Sequence, residues 1–182
     1  MNKRLIALTG IVVAAAMTRL VPHPPNMTPI AAMALFGGAF LPNRRLAYAL
    51  PLAAMLLSDI VLGMTLYGKA MLTSQPIVYA CLLGTVAMGN LIRDRRSVLN
   101  VGVVTLASSL MFFVVTNFAV WAAGSLYPRT LAGLVVCFTA AVPFFRNSLI
   151  GDMAFTAILF AGFALLQNSV ISLREKQQIV TA

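Results

Sequence analysis

The side chains able to do chemistry in this chain are few: one histidine, two cysteines and four acids in 182 residues. Cys81 and Cys137 both lie inside apolar runs and form no C-x-x-C pair, so they read as free thiols rather than a bridge. A cysteine in an apolar helix is ordinarily a small buried hydrophobe, and Cys137 is read that way. Cys81 has a second reading. On a helix, Ile77, Gly84, Thr85 and Met88 share its face, with Gly84 leaving space beside the sulfur, and Tyr79 is turned nearly to the opposite side. A thiolate so placed is a soft ligand for a transition metal, and coordination itself drives its deprotonation. The single histidine, His23, stands in Arg19-Leu-Val-Pro-His-Pro-Pro-Asn-Met-Thr-Pro29. Its prolines either end a span and leave His23 solvated, or fix the backbone so that His23 and Asn26 stand preorganised at a site.

Two of the acids have plain explanations, Asp94 in the Arg93–Arg96 cluster and Glu175 in the polar tail. Asp59 follows an apolar run that begins at Leu46, and Asp152 opens the last apolar segment. Charge at membrane depth is costly, so such groups face a cavity or a partner. Asp152 is expected to pair with Arg146; for Asp59 a structural and a ligand-binding role are both open. Gly63-Met-Thr-Leu-Tyr-Gly68-Lys69-Ala70 comes close to a phosphate-binding loop but puts alanine where the magnesium-holding hydroxyl belongs, so no ATPase is expected here. A cage for a bare metal ion wants several nitrogen or sulfur ligands, and one histidine does not provide them. A thiol enzyme would need a base beside Cys81, a role only His23 offers.

The elements that must position these residues are helices in a bilayer. The chain is 60% hydrophobic and 9% charged, and its apolar stretches cover residues 5–20, 29–41, 46–63, 76–92, 98–123, 131–145 and 149–167. None shows strand alternation. The predicted fold is a single all-α domain, residues 1–182, with six transmembrane helices in the cell inner membrane and both termini cytoplasmic. That arrangement puts Lys3, Arg4, Arg44, Arg45, Arg93, Arg95, Arg96, Arg174 and Lys176 inside and only Arg19, Lys69, Arg129 and Arg146 outside. To keep the basic tail inside, 131–145 is assigned to a short helix, a re-entrant piece or part of an external loop. The first segment also fits a secretory signal peptide, but is read as the first retained helix. A net charge of +9 placed at segment ends is not a nucleic-acid face. Gly10 with Ala14, and Ala80 with Gly84, permit close helix approach, inside the protein or, for the first pair, against a partner.

Depth then gathers the polar groups. Asp59 lies about 6 Å below the outer end of its helix and Cys81 about 7 Å below the start of the next. Phe113, Asn117 and Trp121 recur every four residues on one face. His23, Asn26, Tyr67, Lys69, Arg146 and Asn147 fall on outer loops. The expectation is a pocket open to the outside.

Three runs carry a resemblance: Arg19 to Phe40, Leu50-Pro-Leu-Ala-Ala-Met-Leu-Leu-Ser-Asp59, and Phe144-Phe-Arg-Asn-Ser-Leu-Ile-Gly-Asp152. With Cys81 they resemble the S components of energy-coupling-factor (ECF) transporters, most closely the solitary BtuM-like transporters of cobalamin. The resemblance implies a six-helix protein that captures its vitamin from outside, with Cys81 as the axial ligand to the corrin cobalt. It also implies a separate coupling protein and two ATPases as partners, or none in a solitary protein. The Ala-x-x-x-Ala docking motif of the S components is represented only by Gly10-x-x-x-Ala14, which suits the solitary form. Around the corrin, His23, Asn26, Asp59, Tyr67, Asn117, Trp121, Arg146 and Asn147 are the expected binding residues, and a sulfur donor would ease loss of a ligand such as cyanide from the opposite face of cobalt.

Overall fold

A computed structural model describes residues 3–67, 75–170 and 173. Six α-helices follow one another: α1 Lys3–Met17, α2 Ile30–Phe40, α3 Arg44–Leu62, α4 Gln75–Leu91, α5 Val98–Ala123 and α6 Leu131–Ser169. A single 3-10 turn, Thr18–Leu20, ends α1, and a π-helical turn, Gly63–Tyr67, prolongs α3. There is no strand among the described residues. By length and apolarity α3 with its π turn, α5 and α6 can each cross a membrane.

The chain is wound around α2. Every residue from Ala31 to Phe40 is buried, as expected of a helix that is apolar on all sides. At about 16 Å it is too short to cross the roughly 30 Å hydrocarbon core. Its composition explains its place. Alanine and glycine let neighbours come close, and a Cβ on Gly38 would overlap the Val86 carbonyl oxygen of α4 just as one on Gly89 would overlap the Leu35 carbonyl oxygen of α2. These two backbones therefore cross in direct contact, the small-residue packing used where lipid supplies no hydrophobic drive. Phe36 and Phe40 then stack against Phe160 and Phe163 of α6, with centroids 4.9 to 5.6 Å apart.

Side-chain bonds fix the relative directions of the helices. Arg93, just beyond α4, donates to the carbonyls of Gly38 and Pro42 at the end of α2, and Arg96 lies 4.6 Å over the Phe40 ring. The orphan carbonyls of the α2 C-terminus thus find cations, and α2 runs parallel to α4. Arg19, just after α1, reaches Met55, Ser58 and Asp59 late in α3, so α1 and α3 are parallel. Leu8 and Val12 of the first segment are fully buried in the core.

Two expectations are revised here. Residues 131–145 form neither a short separate helix nor a re-entrant piece; they are the first part of α6, which continues through Pro143 to Ser169. The polar pair Arg146-Asn147 marks no break, because neither residue opposes helix. At about 58 Å, α6 is nearly twice the thickness of the hydrocarbon core. Gly10 and Ala14 are both exposed, and a Cβ on Gly10 would meet nothing within 4 Å. That stripe packs on nothing inside the described chain.

Candidate ligand-binding site

A cavity of about 550 Å³ opens among the late turns of α3, the early turns of α4, the middle and later turns of α5, the middle of α6, and the loop that joins α1 to α2. The loop supplies Arg19, His23, Pro25, Asn26 and Thr28; α4 supplies Val78, Leu82 and Thr85; α5 supplies Ser109, Phe112, Phe113, Thr116 and Asn117; α6 supplies Phe144, Phe145, Ser148 and Asp152. Its volume falls in the range for drug-sized ligands, as does its pattern of apolar walls with a few polar groups.

The proline loop is built as a turn. Met27 N–H donates to the Pro24 carbonyl at 3.1 Å, and Asn26 has φ of 62°. Proline followed by a left-handed Asn defines a type II turn, in which Asn is one of the few residues that tolerate the third position. Asn147 of α6 donates to the Pro25 carbonyl at 3.2 Å. Gly151, one turn further, lets the Met27 backbone approach, since a Cβ there would lie 3.2 Å from the Met27 Cα. His23 Nδ1 is 3.0 Å from the Pro24 carbonyl oxygen; a carbonyl can only accept, so Nδ1 is the donor in this contact. The loop is held against α6 at Pro25 and Met27, and His23 and Asn26 stand on its exposed side at the mouth of the cavity.

Arg19 lies in a buried cluster at the edge of the cavity. Its Nη2 is 2.8 Å from Asp59 Oδ1 without hydrogen-bond alignment, its Nη1 donates to Ser58 Oγ, and Met55 sulfur is 3.4 Å away. Tyr79 donates to the other oxygen, Asp59 Oδ2, at 2.8 Å. Asp59 is wholly buried and Arg19 is 7% exposed. Three elements are thus tied by one carboxylate.

The chain belongs to the family of unknown function DUF6580. The family's model matches residues 1–176. No curated protein and no solved structure matches the chain.

In this member of DUF6580, His23, Asn26 and Asn117 line the cavity, and Asp59, Cys81, Trp121, Arg146 and Asn147 are not among its described lining residues. Asp59 sits behind the wall, held by Arg19 and Tyr79. Tyr79, set aside in the sequence because it faces away from Cys81, is the residue that meets Asp59. Trp121 donates to the Pro128 carbonyl at 3.0 Å and fastens the loop between α5 and α6. Arg146 is exposed and makes no ion pair with Asp152; Asn147 holds the loop. Tyr67 closes the π turn, but its side chain, like all of Lys69, lies outside the described residues. Cys81 is 3% exposed and adjoins the wall without lining it: Val78, Leu82 and Thr85 face the cavity, with Cys81 at the edge of that face. The space expected beside its sulfur at Gly84 is occupied, because a Cβ on Gly84 would sit 3.0 Å from the Met111 sulfur.

Sequence reasoning passed over Arg19 and Asp152 as cavity residues. Asp152 is buried, lines the cavity and accepts from Ser109 at 2.7 Å. Its signal was present, as an acid inside an apolar run, but Arg146 nearby in sequence offered a simpler partner.

Proposed function

We propose that the protein is a multi-pass protein of the cell inner membrane that captures cobalamin from the outer side, with six crossings and both termini in the cytoplasm. The observation that carries this reading is the cavity itself, which lies at one end of the bundle under a proline-clamped loop. All of Arg44, Arg45, Arg93 and Arg96 fall toward the opposite end, where α2 and α4 finish, and the basic ends then face the cytoplasm.

A corrinoid is larger than a drug-sized ligand, so its ring edge would enter while the rest stood at the mouth between His23 and Asn26. Cys81 would supply the sulfur ligand to cobalt from beside Val78 and Leu82, which requires α4 to turn or these two side chains to part. The exposed Gly10–Ala14 stripe is a surface on which an ECF-type coupling protein with its ATPases could dock, and a solitary protein would leave it to lipid. The cavity volume favours a second reading, another and smaller vitamin.

The visible spectrum decides between them. Protein purified from cells supplied with cobalamin should carry the absorption bands of a corrinoid in proportion to its amount. Colourless protein that takes up no added cobalamin would leave the smaller vitamin.

Topology is tested by labelling. Cys81 and Cys137 are both buried, so single cysteines placed at Arg44, Arg95 or Lys69 report cleanly. In intact cells an impermeant thiol reagent should modify position 69 and spare 44 and 95; external labelling at 95 would invert the arrangement.

The loop offers a third expected result. Replacing Pro24 and Pro25 together with glycine frees two fixed φ angles, at about 0.4–1 kcal/mol each. Titration should show cobalamin affinity falling several-fold, while the melting temperature in detergent moves by only a few degrees. Unchanged affinity would make the prolines span terminators.

A further inference from the structure

Three polar groups deep in the cavity share a bias, while the Ser148 hydroxyl has no acceptor among the described residues. Thr85 donates its hydroxyl proton to the Cys81 carbonyl, Thr116 to the Phe112 carbonyl, and Asn117 its amide N–H to the Phe113 carbonyl, at 2.7 to 3.0 Å. Each bond spends a donor on the helix's own backbone and leaves oxygen lone pairs for the cavity, with the second N–H of Asn117 unspent. Ser109 has one proton and two acceptors in reach, the Thr105 carbonyl at 3.0 Å and Asp152 Oδ2 at 2.7 Å. Asp152 is 7% exposed, forms no ion pair among the described residues, and its Oδ1 accepts no hydrogen bond among them. Arg19, the guanidinium among the described wall residues, is already matched to Asp59.

We infer that Asp152, backed by Ser109, is the specificity residue of this cavity and receives an N–H donor of the ligand, a primary amide or an ammonium group. A buried carboxylate with an open oxygen demands a donor, and the surrounding lone pairs repel an anion placed there. Under the cobalamin reading, on which this arm rests, the donor is one of the amide side chains at the corrin rim. Under the smaller-vitamin reading it is an ammonium or amino group.

The test uses the full-length protein in detergent and changes the ligand as well as the residue. Titration with cyanocobalamin is compared with titration by its monocarboxylic derivatives, in each of which one rim amide is a carboxylate. At the contacted position the acid should bind roughly tenfold to a hundredfold more weakly than the amide, and Asp152→Asn, which removes the like charge, should restore it to within a few-fold. If no derivative discriminates between the parent and Asp152→Asn, the assignment is wrong even though cobalamin binds. If the parent binds no corrinoid at all, the cobalamin reading fails separately, and Asp152 is then judged with thiamine, which carries a positive charge and an amino group, against the anion biotin. Thiamine binding that is lost in Asp152→Asn supports the assignment; binding of biotin alone, or of neither, overturns it.

Discussion

Cys81→Ser should abolish most cobalamin binding and change the spectrum of whatever corrinoid remains, whereas Cys137→Ser should do neither. The pair is informative because the two thiols have similar burial, at 3% and 2% exposure, and differ in place. Cys137 sulfur lies 3.5 Å from the Asn117 carbonyl, a weak bond within the α5–α6 pair, while Cys81 adjoins the cavity wall. Serine keeps nearly the volume of cysteine but offers a hard, protonated oxygen in place of a soft sulfur, so the exchange probes coordination more than packing. The loss expected for a metal–ligand bond is larger than for any single neutral hydrogen bond at the rim, which contributes about 0.5–1.5 kcal/mol. Sulfur also pushes electron density onto the metal, so the parent protein should release cyanide from bound cyanocobalamin faster than Cys81→Ser does. Retention of the parent's affinity and spectrum by the serine variant would rule out sulfur ligation. His23, whose Nδ1 is engaged with the Pro24 carbonyl at the mouth of the cavity, would then be the next axial group to test, through Nε2.

The helices were legible in the sequence because their signal is local. The apolar run 29–41 became Ile30–Phe40 and 98–123 became Val98–Ala123. What could not be read was how their faces meet. Gly38 and Gly89 let α2 and α4 cross in backbone contact, yet in sequence they are two glycines among twelve. The Ala80–Gly84 spacing that looked equivalent leaves Ala80 exposed. Periodicity tells which residues share a face but not what the face is turned toward. For that reason Phe113 and Asn117 of the stripe line the cavity, while Trp121, one turn further along it, reaches the Pro128 carbonyl instead. The continuity of α6 was hidden by a different cause. Charge counting divides a sequence into crossings by their ends, and Arg146-Asn147 looked like such an end, although a helix about 58 Å long can carry polar residues on one side without stopping.

The same limit applies to charge pairs, where sequence proximity suggested Arg146 for Asp152 and gave Asp59 no named cation. The structure instead joins Arg19 to Asp59 across 40 positions and leaves Asp152 to Ser109. This pairing yields the largest stability effect expected of any single replacement. Removing either partner of a buried ion pair strands the other charge, at a cost of about 3–5 kcal/mol. Asp59→Ala leaves Arg19 buried with only Ser58 and the Met55 sulfur as acceptors, and Arg19→Ala leaves Asp59 with the Tyr79 hydroxyl alone. Both variants should lose most of their folded yield or unfold at much lower denaturant in detergent. Replacing both at once, Arg19→Met with Asp59→Leu, removes the charges together and should recover most of the lost stability, since apolar isosteres of a buried pair are often no less stable than the pair. Tyr79→Phe tests the third member and should cost only about 0.5–1.5 kcal/mol, the worth of one hydrogen bond, or somewhat more because the acceptor is charged. Denaturant unfolding of the four variants checks the order. Were the double replacement as unstable as either single one, the contribution of these side chains would lie in bonds beyond their mutual pairing, and Arg19 would have to be assigned to the shape of the cavity wall instead of to the neutralisation of Asp59.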